Sequence, residues 1–287
     1  MSDDRKTLDV LNAQDALAPT DPWSALRALT PARIGLGRVG ASLPTRELLA
    51  FGAAHAQARD AVHLPLDVAA LRPRLQALGL QPIEVASAAP DRATYLLRPD
   101  LGRRLGASGG ALLDAHAAAH GPLADDALLI VVGDGLSSAA IARQAVPLLA
   151  EIQRQRPPGW TLGPVVVATQ ARVALGDDIG QRLGAAMVAV LIGERPGLSS
   201  PDSLGLYLTR RPRVGRSDAE RNCLSNVRAE GLVHAEAARR LWWLAQAGRR
   251  LGTTGVALKD DSGLAPGADL GVTAATPLPS GRTGRTG

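Results

Sequence analysis

Ala127-Leu128-Leu129-Ile130-Val131-Val132-Gly133-Asp134-Gly135-Leu136-Ser137-Ser138 is the stretch on which the fold turns. Its first six residues are apolar without a break, with neither helical nor alternating period. A run of that length is the pattern of a strand buried on both faces, as in a parallel sheet. The Gly-Asp-Gly that follows permits a tight turn, and Ser137 stands where a helix N-cap belongs. The segment therefore reads as strand, loop and helix start.

The same rhythm continues toward the C-terminus. Ser137–Gln153 has a helical pattern, Pro164–Ala168 is a second strand made almost entirely of Val, Asp177–Leu183 is a short helix, and Ala186–Ile192 is a third apolar strand. Strand, helix, strand, helix, strand predicts an α/β fold with a doubly wound parallel sheet. An amphipathic helix is expected over Val233–Leu251. From Asp261 the chain is Gly, Pro, Ser, Thr and Ala with few large apolar residues, which predicts a disordered tail over 261–287.

Toward the N-terminus the chain reads as mainly helical over 21–110. Asp21-Pro22-Trp23 opens a helix, with Asp as N-cap and Pro at its first position, that ends before Thr30-Pro31. A second helix is expected from near Thr45 to about Ala61. A third has Asp67 as N-cap, Leu71, Leu75 and Leu78 on one face, and Gly79 as its stop. Pro73 interrupts it, which predicts a kink or a later start. A short strand is expected near Ile83–Val85. Residues 1–20, with only Leu8, Leu11 and Leu17 as spaced anchors, read as a flexible arm.

Composition narrows the function. The chain has 287 residues, 46% hydrophobic and 21% charged, as in ordinary globular proteins. No apolar run approaches the roughly 18 residues of a membrane span, and Met1–Lys6 leads into no apolar signal segment. The single cysteine, Cys223, has no internal partner for a disulfide, which fits a reducing cytoplasm. Net charge is +5, carried almost wholly by Arg, since Lys6 and Lys259 are the only lysines. With seven aromatic residues and dispersed Arg, the pattern argues against nucleic acid as partner.

Ligands of open parallel sheets bind beyond the carboxyl ends of the strands. Three loops qualify: Gly133–Ser138, Gln170–Val173 and Gly193–Leu198. The first is a partial dinucleotide fingerprint; the alternative is a plain strand-to-helix turn with a serine cap. The second strand ends Ala168-Thr169-Gln170, without the carboxylate that would hold a nicotinamide ribose. Glu194 follows the third strand and is either an acceptor for amide or hydroxyl donors or half of a salt bridge with Arg195. Cys223 has no histidine near it in sequence, so a small buried hydrophobe is the reading set against a nucleophile. His116 and His120 are one helical turn apart without the intervening Glu of a zinc helix.

Seven stretches then line up in order: Asp21–Trp23, Thr30–Arg38, His55–Val62, Tyr95–Leu105, Asp134–Ser137, Gly193–Leu198 and Asp218–Asn226. Singly each is unspecific. Together, over about Asp21 to Asp260, they resemble the small subunit of ethanolamine ammonia-lyase. The resemblance implies a Rossmann-like cobalamin-binding domain over 111–260. It also implies a large-subunit partner carrying the substrate site, and base-on adenosylcobalamin held between the subunits. By the same resemblance the cobalamin contacts of this chain fall on Val173, Glu194 and Cys223, with no catalytic residue and no protein ligand to cobalt. Asp114-Ala115-His116 only mimics a cobalt-ligating motif, because Ala119 stands where Gly is required. Ala171 stands where the family pattern has Gly, next to Val173, and Thr209–Pro212 is more basic than that pattern. Some relatives carry an N-terminal helix that directs them into a protein-shelled microcompartment, so the expected place is the cytoplasm or such a compartment. A scaffold module and an NAD(P)-dependent oxidoreductase are the competing readings.

Overall fold

The computed structural model describes residues 23–263, so the N-terminal arm, the Asp21-Pro22 helix start and the tail after Gly263 lie outside the described residues. Six strands form one sheet among these residues: β1 (Pro82–Ala86), β2 (Ala127–Gly133), β3 (Thr161–Thr169), β4 (Met187–Gly193), β5 (Leu204–Arg210) and β6 (Arg221–Val227). Their order is β1-β3-β2-β4-β5-β6. The first four are parallel: β2, β3 and β4 as their apolar runs predict, and β1, expected only as a short strand, joins them beside β3. β5 and β6 extend the sheet antiparallel beyond β4, which the sequence reading does not place.

Helices cover both faces. They are α1 (Ser24–Arg27), α2 (Thr45–His63), α3 (Val68–Gln76), α4 (Arg92–Leu97) and α5 (Ala107–His120), then α6 (Ser138–Ala140), α7 (Val146–Arg154), α8 (Leu175–Arg182) and α9 (His234–Leu251). Alternation along β2 divides the core. Leu128, Ile130 and Val132 face α3, α7 and α9, while Leu129 and Val131 face α5 and α8. Every residue of β2 and β4 is buried, which explains why these strands read as continuous apolar runs.

Local chemistry sets the helix ends. The Asp67 side chain accepts the Ala70 N–H at 2.9 Å, so α3 starts directly after it. Pro73 neither delays that start nor ends the helix, which runs on to Gln76. Gly79, at φ +75°, closes it: Leu80 N–H reaches Leu75 O and Gly79 N–H reaches Gln76 O, the paired bonds of a glycine C-cap. Between α6 and α7 the chain makes a π turn, Ile141–Ala145. Pro147 lacks an N–H and crowds the carbonyl four residues back, at Arg143 inside that turn, so the wider turn has a steric cause.

The crossovers from β2 to β3 and from β3 to β4 lie on opposite faces of the sheet. The chain therefore leaves the neighbouring strands β2 and β3 on different sides, and a crevice opens beyond their carboxyl ends.

Candidate functional site

The three strand-end loops converge on that crevice. It is a cleft of about 430 Å³ lined by Gly135 and Leu136 after β2, Arg172 and Val173 after β3, and Gly193–Arg195 after β4, with Tyr95 and Tyr207 completing the wall. Val173 and Glu194, chosen on sequence, thus share one cavity. Cys223 sits beside it: on β6 it is the direct cross-strand partner of Tyr207.

The first loop is stitched to β4. Leu136 N–H donates to Gly193 O at 2.9 Å, and the Ser137 hydroxyl donates to Pro201 O at 2.7 Å. Gly135 has φ +56°, and a Cβ there would lie 2.2 Å from Gly193 O. Close packing against β4 thus accounts for this glycine. Ser137 Oγ also accepts the Ala140 N–H at 3.1 Å, so the segment is a capped strand-to-helix turn, the plainer of its two readings.

The second loop is held by Asp134. This buried carboxylate accepts the Ala171 N–H at 2.9 Å and pairs with Arg92 at 3.0 Å. Burial raises its pKa, opposed by the Arg92 charge and by backbone N–H groups around it. Tyr95 is fully buried beneath the loop and donates its hydroxyl to Ala171 O at 2.9 Å. Burial pushes that phenol up to about 12, so it stays a neutral donor. The Arg92 and Arg172 guanidinium carbons lie 4.8 and 4.5 Å from the Tyr95 ring centre.

In the third loop Glu194 is half-buried. Its Oε2 accepts from the Ser203 hydroxyl at 2.5 Å and from the Asn226 N–H at 3.1 Å. The alternative salt bridge with Arg195 is not among the ion pairs of the described residues; Glu194 is instead held against β5 and β6. Oε1 receives no hydrogen bond among the described residues.

Cys223 departs from the reading of a small buried hydrophobe: the residue is exposed, while its neighbour Leu224 on the opposite face of β6 joins the core. Desolvation of the sulfur nevertheless pushes the thiol above its ordinary value, so it stays protonated near neutrality and is a poor nucleophile. His116 and His120 stack on α5 at 4.2 Å, and neither lines the cleft.

Sequence reasoning missed the Asp134–Arg92 pair and the Tyr95–Arg172 stack. Asp134 lies in a quoted motif, but nothing in the sequence ties it to Arg92. Tyr95 and Arg172 belong to separate elements that only the folded chain brings together.

Residues 20–259 match the family model described as ethanolamine ammonia-lyase light chain. The ethanolamine ammonia-lyase small subunit of Ralstonia nicotianae is 57% identical over 246 residues, covering 85% of this chain and 90% of the relative. That of Pseudomonas syringae pv. tomato is 56% identical over 252 residues, covering 88% and 87%. That of Azotobacter vinelandii is 55% identical over 249 residues, covering 86% and 92%. The chain belongs to the ethanolamine ammonia-lyase light-chain family, the small subunits of a carbon–nitrogen lyase.

Proposed function

We propose that this chain closes one side of an adenosylcobalamin site at its interface with the large subunit, in an enzyme that splits ethanolamine into acetaldehyde and ammonia. The observation that carries the reading is the convergence of Val173 and Glu194, from two different loops, on one cleft beyond the strand ends. The donor set fits an edge of a base-on corrinoid. Glu194 Oε1 is an acceptor for the amide N–H groups of the corrin rim, Val173 offers an apolar surface, and Arg172 offers cationic donors. Cys223 borders the same cleft through Tyr207. At about 430 Å³ the cleft holds only part of so large a cofactor, which suits a site completed by a second chain.

When bound, the cofactor supplies a carbon-centred radical by cobalt–carbon homolysis, and the protein's part is binding, orientation and exclusion of water. In this reading the Cys223 thiol, which stays protonated, and Glu194, whose Oε2 is engaged by Ser203 and Asn226, hold the cofactor rather than exchange protons. Its residues grip one edge of the cofactor and wall off the radical.

A further observation supports the large-subunit partner. α2 has Leu48, Leu49 and Phe51 exposed, and of its 19 residues only Ala61 is buried. Apolar residues lie on nearly all sides of its first half, a pattern of helices enclosed by protein. Its C-terminal end is fixed to the cleft rim: Ser138 Oγ donates to Leu64 O at 2.7 Å, and Arg92 Nε to Val62 O at 2.8 Å. A partner covering the cleft would also enclose this helix. Co-expression with a large subunit tests the reading: the pair releases acetaldehyde from ethanolamine only with adenosylcobalamin, and this chain alone releases none. Turnover by the lone chain would refute the division of labour.

A further inference from the structure

The side chain of Arg172 is out of balance with its surroundings. Its Nε is buried without an acceptor, and its guanidinium makes no hydrogen bond or ion pair among the described residues. The residue is otherwise firmly placed. Its backbone N–H donates to Gly102 O at 2.8 Å, and its guanidinium lies on the Tyr95 ring. Gly102 makes the room: a Cβ there would stand 2.9 Å from Arg172 Cγ. Neither nearby carboxylate pairs with it. Asp134 is taken by Arg92 and Ala171, and Glu194 Oε2 by Ser203 and Asn226. Arg172 is thus a positioned cation that lines the cleft and lacks a counter-charge.

A planar guanidinium fork with free donors matches the paired oxygens of a phosphate. The cobalamin corrin rim carries neutral amides, and its one anionic group is the phosphodiester of the nucleotide loop. The geometry points to Arg172 as the residue that takes this phosphodiester and so sets which side of the cofactor enters the cleft. This rests on the reading of the cleft as a cobalamin site. Arg195, also in the cleft wall, is exposed and has no such fixed stack, so it serves as the comparison.

The test measures dissociation constants of the two-subunit complex by equilibrium dialysis. Its probes are adenosylcobalamin, adenosylcobinamide phosphate and adenosylcobinamide, the last lacking the phosphate. Arg172→Gln should weaken the first two roughly ten- to hundredfold and leave the third unchanged, a range expected for one charge-assisted interaction. Arg172→Lys, which keeps the charge and loses the fork, should fall between, and Arg195→Gln should change little. Equal weakening of all three probes, or of none, would overturn the assignment while leaving the cleft as a corrinoid site. Failure of the wild-type complex to bind any probe would overturn both.

Discussion

The Asp134 carboxylate accepts the Ala171 N–H at 2.9 Å, tying the loop that carries Val173 to the end of β2. Through Arg92, which also donates to Val62 O, the same carboxylate is linked to the end of α2. One buried acid thus joins the cleft wall to the helix that faces outward.

Asp134→Asn should weaken both. It puts an amide against Arg92 and leaves that guanidinium without its counter-charge in a nearly dry site. Breaking a buried pair in this way costs about 3–5 kcal/mol. Urea unfolding of the full chain should register the loss, and a change below about 1 kcal/mol would mean that Asp134 does not organise the rim.

Arg221 and Asp177 form a second buried pair, bidentate at 2.7 and 2.6 Å, which fastens the start of β6 to α8. Arg221→Met alone should cost about 3–5 kcal/mol, because the Asp177 carboxylate is left unpaired. Arg221→Met combined with Asp177→Leu should recover most of that loss. Additive losses in the unfolding midpoints would contradict a coupled pair.

The Cys223 thiol titrates above the ordinary cysteine range, and only the thiolate is alkylated. Iodoacetamide should therefore label it at pH 7.5 more slowly than a free cysteine peptide, with the rate still climbing at pH values where the peptide has levelled off. Adenosylcobalamin bound to the two-subunit complex should slow labelling further. Labelling as fast as the peptide would contradict the desolvated sulfur.

Leu48→Glu with Leu49→Glu should abolish co-purification with the large subunit without lowering the melting temperature of this chain. Both side chains are more than half exposed and contribute little to its own core. Retained co-purification would place the interface elsewhere.

What could be read in advance follows from where each element buries its side chains. β2, β3 and β4 are enclosed by helices on both faces, and their apolar runs announce them. β6 did not declare itself: Arg-Asn-Cys-Leu-Ser-Asn-Val is polar because it lies at the sheet edge, and its buried Arg221 is balanced by an acid from α8 that the sequence cannot pair with it. Pro73 predicts a kink or a later start, yet Asp67 and Gly79 fix both ends of α3 around it. For the site, the strand-end rule located the loops of Val173 and Glu194, and the family resemblance singled out those residues and Cys223. The Tyr95–Arg172 stack joins distant parts of the chain and leaves no local pattern.

In the proposed function the cleft beyond β2, β3 and β4 grips adenosylcobalamin together with the large subunit. The most direct test of this is the dissociation constant of the two-subunit complex for adenosylcobalamin, measured for the wild type, Glu194→Gln and Val173→Trp. The account predicts that Val173→Trp, which fills the cleft, nearly abolishes binding, and that Glu194→Gln weakens it roughly tenfold. An unchanged constant in both variants, with the complex intact, would contradict it.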